Sequence, residues 1–254
     1  MPSLLITRAF NSDNMPLAIF DLDHTILEGD CDQLWGDFLS QQRLVDAQQY
    51  QAEKNRFYQD YLNGQLDMSQ FLKFCANTLA QFTPIQLTQL AEQFERDYLK
   101  PNLRPAALDC IKQHKAQGDT LLVITATNRF LASTAIQSLG ITHLIASELE
   151  CVDGQFTGRI LGTPSYREGK NLRLEHWLRQ WDRQQDSDIK SDAPNQPPFD
   201  LSAACFYSDS HNDLPLLQRV GKPIVVTPDS TLKNTAIKNG WPILDWSMDN
   251  WTIN

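Results

Sequence analysis

The stretch AIFDLDHTIL, residues 18–27, decides the predicted fold. An apolar run from Leu17 to Phe20 leads into two carboxylates, Asp21 and Asp23, with neither glycine nor proline to mark a simple turn. The run predicts a buried strand of the kind found in a parallel sheet that is covered by helices. Because ligands bind at the carboxyl ends of such strands, we expect both carboxylates to lie in a functional site. Taken alone, the Asp-Leu-Asp pattern also fits the start of a loop or a helix cap.

Composition limits the class of protein. The chain has 254 residues, of which 41% are hydrophobic, enough for a sizeable core in one large domain or two smaller ones. Its formal net charge of -9 argues against a nucleic acid or an anionic membrane surface as the main partner, because both bind basic surfaces. An anionic small substrate stays compatible with this charge, since a bound cation can reverse the local sign.

Cysteine usage and the first residues predict a soluble cytoplasmic protein. The five cysteines are scattered and form no CxxC pair, which argues against a disulfide framework or a zinc site. Residues 1–14 lack the layout of a signal peptide, Met15 is an alternative start, and no apolar run is long enough to span a bilayer. The sequence leaves open whether the protein is a monomer or a homodimer.

The remaining chain alternates between helical and strand patterns. Residues 31–100 carry apolar side chains at spacings of three and four, which predicts a helical module inserted after the first strand. Beyond it, strands are predicted at 120–124, 143–146, 203–207 and 223–227, with helices at 106–117, 131–139 and 229–239 between them. This order is typical of an α/β fold with a doubly wound, mostly parallel sheet.

Two further segments interrupt that alternation. Asp153-Gly154 at the centre of residues 148–160 is a strong hairpin signal. Residues 182–200 are rich in Asp, Gln, Ser and Pro, and they predict a mobile surface loop with almost nothing to bury. The tryptophans of the C-terminal tail, Trp241, Trp246 and Trp251, fit burial against the sheet better than a dimer contact.

Polar side chains gather where the predicted strands end. Repulsion between neighbouring carboxylates favours a bound cation, and a site of oxygen ligands and waters suits Mg²⁺. One carboxylate can then attack phosphorus, a second can protonate the leaving oxygen, and a hydroxyl and an ammonium can hold the phosphoryl oxygens. Taken singly, Thr125 also fits a helix cap, Lys170 a surface lysine, and Asp209 a loop cap. The candidates are Asp21, Asp23, Thr125, Lys170, Asp209 and Asp213.

The order of these motifs resembles that of the haloacid dehalogenase (HAD) superfamily of phosphatases. The resemblance covers nearly all of the chain from residue 17 onward and rests on residues 21–25, Thr125, Lys170 and residues 209–213. It is to subfamily IB, the phosphoserine phosphatase-like and histidinol-phosphatase-like branch. The resemblance implies a Rossmann-like HAD core at residues 1–30 and 101–254, with residues 31–100 forming a helical cap of the C1 type.

The resemblance also implies roles for individual residues. Asp21 is expected to be the nucleophile that forms an aspartyl-phosphate, and Asp23 the general acid that later activates water. Thr125, Ala126 and Lys170 are expected to bind the phosphoryl group, with Lys170 also offsetting the charge of Asp21.

The metal assignment follows from the same resemblance. Asp21 and Asp209 are expected to ligate Mg²⁺ together with the main-chain carbonyl of Asp23, while Asp213 binds or orients the waters of the metal. Ser208 departs from the family pattern, since many relatives have glycine there. This departure removes no catalytic group.

The substrate is expected to be a small phosphorylated metabolite that carries an amine. Glu28 and Asp30, with Asp32, are acidic residues near the predicted site that fit a substrate amine. Trp35 fits stacking on an imidazole. The alternatives are that the acidic residues only cap the first inserted helix and that Trp35 only packs in a core.

We therefore predict a Mg²⁺-dependent phosphomonoester hydrolase, with histidinol phosphate as first choice of substrate and phosphoserine next. Two other classes of function stay open. An aspartyl-phosphate can also serve a phosphotransferase or a lipid-phosphate hydrolase of the lysophosphatidate type, although the insert shows no clear basic amphipathic helix. A catalytically silent binding module on the same fold has no physical need for so many mutually repelling carboxylates.

Overall fold

A computed structural model describes residues 16–185 and 199–248. Within these residues seven strands form one sheet in the order β4-β3-β2-β1-β5-β6-β7, and every neighbouring pair is parallel except β3 with β4. The strands are β1 (Leu17–Phe20), β2 (Thr120–Asn128), β3 (His143–Val152), β4 (Gln155–Leu161), β5 (Cys205–Ser208), β6 (Lys222–Val226) and β7 (Ile243–Leu244).

Four helices form the insert that follows β1, where the 3.6-residue periodicity predicts a helical module. They are α1 (Cys31–Gln41), α2 (Ala47–Leu62), α3 (Met68–Leu79) and α4 (Pro84–Phe94), followed by a π-helical turn at Glu95–Leu99 and a 3₁₀ turn at Lys100–Asn102. Each helix begins after a side chain that accepts a hydrogen bond from a backbone N–H of the first turn, which satisfies an otherwise unpaired donor. These capping residues are Asp30, Asp46, Asp67 and Thr83.

Successive residues of a strand point to opposite faces of the sheet, and β1 has buried apolar side chains on both faces. Ala18 and Phe20 of β1 join one hydrophobic cluster, while Leu17 and Ile19 join the cluster on the other face. The remaining helices cover the sheet and are α5 (Pro105–Ala116), α6 (Arg129–Ile136), α7 (Glu168–Gln185), α8 (Leu214–Leu217) and α9 (Ser230–Asn239). The predicted α/β class with a doubly wound, mostly parallel sheet is confirmed.

Two strand predictions were too short. β2 continues past Thr125 to Asn128, and the predicted strand at 143–146 and the first hairpin arm are one strand, β3. The first half of β3 pairs in parallel with β2 and its second half pairs antiparallel with β4, so one extended segment serves two partners. Local hydrophobic pattern cannot show that continuity.

The polar segment at 182–200 differs from its prediction at both ends. Helix α7 continues to Gln185, and Phe199 is buried between Trp177 and Trp181, with ring centroids 5.4 and 5.0 Å away. Residues 186–198 lie outside the described residues, as do residues 1–15 with the alternative start at Met15. Trp246 is buried and stacks on Tyr207, as predicted, whereas Trp251 lies outside the described residues.

In the two described ranges, no helix has both the length and the apolar character needed to cross a membrane.

Candidate active site

Asp21 follows directly on the central strand β1. Its backbone N–H donates to the Tyr207 carbonyl of β5 at 2.9 Å, so the sheet itself fixes the position of the residue. Its side chain is buried, and one carboxylate oxygen, Oδ1, accepts a hydrogen bond from Lys170 Nζ at 3.0 Å. Burial and three neighbouring carboxylates raise the pKa of Asp21, and only the Lys170 ammonium opposes them among the causes of the shift.

Lys170 lies in the first turn of α7 and contacts carboxylates that follow two different strands, β1 and β5. Its Nζ lies 2.7 Å from Asp213 Oδ1 and 3.0 Å from Asp21 Oδ1. Burial alone would lower the pKa of Lys170, but the two carboxylates outweigh burial and raise it. Ser208 supports the arrangement because its hydroxyl donates to Asp213 Oδ2 at 2.7 Å. The buried ammonium is therefore charged at neutral pH.

Asp23 is held by donors from two other elements. The Cys31 N–H at the start of α1 donates to Oδ1 at 2.7 Å, and the Thr127 hydroxyl donates to Oδ2 at 2.5 Å. The Thr125 hydroxyl lies 3.4 Å from the same Oδ2 and accepts from the Thr127 N–H at 3.1 Å. The carboxylate is thus aimed into the cavity that it lines.

The second strand brings a residue that sequence reasoning missed. Thr125 is fully buried, whereas Ala126 and Thr127 line the cavity. Thr125 and Thr127 are two positions apart on β2 and both hydroxyls contact Asp23. The alternation of side chains along a strand was the available signal, since residues i and i+2 share a face.

Asp209 completes the group of carboxylates at the strand ends. Its Oδ1 accepts from the Thr25 hydroxyl at 3.0 Å, an interaction within the first motif that was not predicted. Burial, and next the charge of Asp213, raise the pKa of Asp209 to about 8. A further positive charge would therefore stabilise the ionised form of this carboxylate.

The donor set fits a magnesium ion. Among the described residues no group of three or more His, Cys, Asp and Glu side chains forms a ready-made metal cluster. Mg²⁺ does not require one, because it commonly takes one or two carboxylates and keeps several waters. The carboxylates of Asp21, Asp209 and Asp213 repel one another and share Lys170 as a neighbouring cation, so they meet the condition for binding a hard cation.

A cavity of about 1040 Å³, including its open mouth, extends from these carboxylates to the inserted helices. Its far wall is aromatic and apolar, and two carboxylates, Asp30 and Asp32, line it as well. Burial, followed by the charge of Asp23, raises the pKa of Asp30 to about 7. The aromatic and apolar lining residues from the insert are Tyr50, Phe57, Tyr58, Tyr61, Leu66, Met68, Phe71 and Phe74.

Four residues, Glu28, Asp30, Asp32 and Trp35, were predicted to meet the substrate, and the structure brings two of them, Asp30 and Asp32, to the cavity. Asp30 lines it, and its Oδ1 also accepts from the Gln33 N–H at 2.8 Å as the cap of α1. Glu28 instead pairs with the buried Arg104, at 3.2 Å, outside the cavity lining. Trp35 is buried, and its ring packs against those of Phe38, Phe94 and Phe130.

Acidic side chains at the ends of the central strands of a mostly parallel α/β sheet form a site that suits a cation and an anionic ligand. The chain matches the family model of the haloacid dehalogenase-like hydrolases over residues 18–218, and it belongs to that family. It is 39% identical over 231 residues to the histidinol-phosphatase of Neisseria meningitidis serogroup C (strain 8013), an alignment that covers 91% of this chain and 98% of that protein. The chain is a phosphatase of the haloacid dehalogenase-like family.

Solved structures share the fold of this chain. A protein of unknown function from Bordetella pertussis Tohama I has a TM-score of 0.81 and 36% sequence identity, with 92% of this chain and 100% of that chain covered. A substrate-bound phosphoserine phosphatase has a TM-score of 0.63 at 17% identity and covers 93% of this chain and 95% of its own. At that identity the second likeness concerns the fold alone.

Proposed function

We propose that this phosphatase is a Mg²⁺-dependent phosphomonoester hydrolase that works through an aspartyl-phosphate on Asp21. The observation that carries the proposal is the position of Asp21 at the end of β1, 3.0 Å from Lys170 Nζ and in one cavity with Asp23. The substrate is a small metabolite that carries an amine, with histidinol phosphate as first choice and phosphoserine next.

Asp21 and Asp23 divide the chemistry. A carboxylate oxygen of Asp21 attacks phosphorus, and the bond from phosphorus to the leaving oxygen breaks. Protonated Asp23 gives its proton to that oxygen, so the product leaves as a neutral alcohol. Asp23 then takes a proton from a water molecule that attacks the aspartyl-phosphate, which releases phosphate and restores Asp21. The hydrogen bonds from Cys31 N–H and Thr127 Oγ1 support this role because they fix the Asp23 carboxylate.

Thr125, Ala126 and Lys170 hold the phosphoryl group in this proposal. Ala126 and Lys170 line the cavity, so a backbone N–H and an ammonium are available near the attacking oxygen. The fully buried Thr125 hydroxyl contacts both Asp23 and the Thr127 N–H. Fixed donors of this kind stabilise the charge that develops on the phosphoryl oxygens in the transition state.

Asp21 and Asp209 would hold Mg²⁺ with the main-chain carbonyl of Asp23, and Asp213 would orient its waters. When bound, the ion supplies positive charge that screens the phosphate from the carboxylates. Thr25 and Ser208 keep Asp209 and Asp213 in place through hydrogen bonds of 3.0 and 2.7 Å.

The inserted helices select the leaving group in this proposal. Residues 31–100 would be a C1-type cap on a core made of residues 1–30 and 101–254. The relative from Neisseria meningitidis is a histidinol-phosphatase, and its match spans nearly its full length. Asp30, with its carboxylate in the cavity, would bind the substrate amine by an ion pair.

The test is phosphate release from histidinol phosphate, phosphoserine and lysophosphatidate, with Mg²⁺ or with EDTA. We expect histidinol phosphate to have the highest kcat/KM and turnover to require Mg²⁺. Asp21→Asn should remove turnover, whereas Asp109→Asn, a matched change on the exposed side of α5, should leave it unchanged.

Each component of the proposal can fail separately. Preference for lysophosphatidate would favour the lipid-phosphate alternative. Turnover that survives Asp21→Asn would contradict the aspartyl-phosphate, and turnover in EDTA would contradict the metal requirement. No turnover of any phosphomonoester would favour the silent binding module.

A further inference from the structure

Asp32 lies where the inserted helices meet the core, in the first turn of α1. Its Oδ1 accepts a hydrogen bond from Cys75 Sγ of α3 at 3.4 Å and another from Asn128 Nδ2 of β2 at 3.2 Å. Asn128 is itself fixed, because it is fully buried and its Oδ1 accepts from the Leu131 N–H at the start of α6. The Asp32 carboxylate is thus held from two sides, and it lines the cavity.

The surroundings of Asp32 favour a basic ligand. Its two donors, a thiol and an amide, are neutral, and burial together with the charges of Asp30 and Asp23 raises the pKa of Asp32. The ammonium of Lys54, which also lines the cavity, is bound to Asp37 Oδ1 at 2.6 Å. Neither of the two side chains that donate to the half-buried Asp32 carboxylate in the described part of the chain is charged, so a cationic or N–H-bearing ligand group would offset the cost of desolvating it.

A row of aromatic rings extends from the neighbourhood of Asp32. The ring of Tyr50 lies 4.9 Å from that of Phe74, Phe74 lies 5.6 Å from Phe57, and Phe57 lies 5.4 Å from Phe71. Tyr50 and Asp32 line the same cavity, so the row lies in the cavity that the Asp32 carboxylate faces. A flat ring fits beside such a row through stacking and, if charged, through cation–π attraction.

From this juxtaposition we infer that Asp32 determines specificity by accepting a hydrogen bond from a ring N–H of the leaving group. The inference rests on the proposed function and deepens it. Asp30 would bind the ammonium of the substrate and Asp32 its basic ring, so the two carboxylates at the start of α1 would bind two different nitrogen groups. The site would then select amino-alcohol phosphates that carry a nitrogen heterocycle, such as the imidazole of histidinol phosphate.

The experiment compares two substrates that differ in the ring alone: histidinol phosphate and phenylalaninol phosphate, in which a phenyl ring replaces imidazole. A site built to bind a substrate N–H discriminates strongly against an analogue that lacks it. We expect wild type to prefer histidinol phosphate by at least about tenfold in kcat/KM. In Asp32→Asn, which keeps an acceptor for Cys75 and Asn128, this preference should fall by at least about tenfold, mainly through KM.

Asp109→Asn is the matched control, since it makes the same change at an exposed carboxylate of α5 that pairs with Lys112 on the surface. It should leave the preference unchanged. If Asp32→Asn lowers kcat/KM equally for both substrates, the preference is unchanged; Asp32 then has a purely structural role and the inference is wrong. The inference is also wrong if the variant has the same kcat/KM values as wild type. Equal turnover of the two substrates by wild type overturns it without any variant, even if Asp32→Asn fails to fold.

Failure of the proposed function has a different signature. Wild type would then hydrolyse neither amino-alcohol phosphate in the presence of Mg²⁺. If wild type hydrolyses histidinol phosphate and Asp32→Asn retains its selectivity, the proposed function stands and only the role of Asp32 is lost.

Discussion

Lys170 balances the charge of the candidate site. Its Nζ contacts Asp21 and Asp213, and all three side chains are buried. Removing one partner of a buried ion pair leaves uncompensated charge and typically costs about 3–5 kcal/mol. We therefore expect Lys170→Met to lower the free energy of unfolding in EDTA by about this amount, measured by urea denaturation, and to abolish phosphatase activity.

Two further variants test the reason for that loss. Lys112→Met changes an exposed lysine that pairs with Asp109 on the surface, and it should cost less than about 1 kcal/mol. Adding Asp213→Asn to Lys170→Met removes one unpaired carboxylate and should restore part of the lost stability. A Lys170→Met protein as stable as wild type would contradict the assigned charge balance.

The sequence predicts some side chains of the site because they follow apolar strands directly. Asp21 and Asp209 are of this kind. Thr127 was not predicted because the predicted strand ended at residue 124, four residues before the end of β2. Trp35 entered the core since it shares the buried face of α1 with Phe38, a spacing that also fits plain packing. Glu28 pairs with Arg104, 76 positions further along the chain, and no local sequence pattern predicts such a partner.

The inserted helices contact the rest of the chain beside the carboxylates of the candidate site. Tyr61 near the end of α2 bonds through its hydroxyl to Ser210 Oγ at 3.1 Å, next to Asp209. Arg167 donates from Nη2 to the Gly64 carbonyl at 3.4 Å and from Nε to Asn212 Oδ1 at 2.8 Å. These bonds hold the inserted helices against the mouth of the cavity.

We expect Tyr61→Phe to weaken the contact between the inserted helices and Ser210. Losing one hydrogen bond costs about 0.5–1.5 kcal/mol, which corresponds to a decrease of roughly two- to tenfold in kcat/KM. Steady-state kinetics with histidinol phosphate measures the effect. Tyr98→Phe, which removes a hydroxyl bonded to Gln41, is the control and should retain wild-type kinetics. Identical kinetics for both variants would show that the Tyr61 contact does not support turnover.

Helices and strands were predictable to different degrees. The insert helices begin at Asp and Thr caps and carry the expected periodicity, so local sequence reveals them. The extent of β3 was not predictable, because pairing with β2 and then with β4 depends on partners distant in sequence. Phe199 illustrates the same limit, since its aromatic partners belong to α7.

The topology of the sheet explains why the site is acidic. Strands β2, β1 and β5 are adjacent and parallel, so their carboxyl ends meet at the centre of one edge. Strands β2 to β4 lie on one side of β1 and strands β5 to β7 on the other, so the strand order reverses at β1. The crevice at such a point is where α/β sheets bind ligands. Each of the three strands ends next to a polar residue of the site, and a chain with a formal net charge of -9 adds to the attraction for a cation.

Bound Mg²⁺ should therefore stabilise the folded protein. A ligand that binds only the native state adds about 2.7 kcal/mol at a concentration of 100 times its Kd. For a chain of this size we expect Tm to rise by about 5–10 °C at saturating Mg²⁺ relative to EDTA, measured by circular dichroism at constant ionic strength.

Asp209→Asn should remove this shift, because it takes a charged oxygen from the proposed ligand set. Asp109→Asn alters an exposed carboxylate and should keep it. A shift of equal size in both variants would assign the stabilisation to general screening of negative charge, and no shift in wild type would contradict the magnesium site.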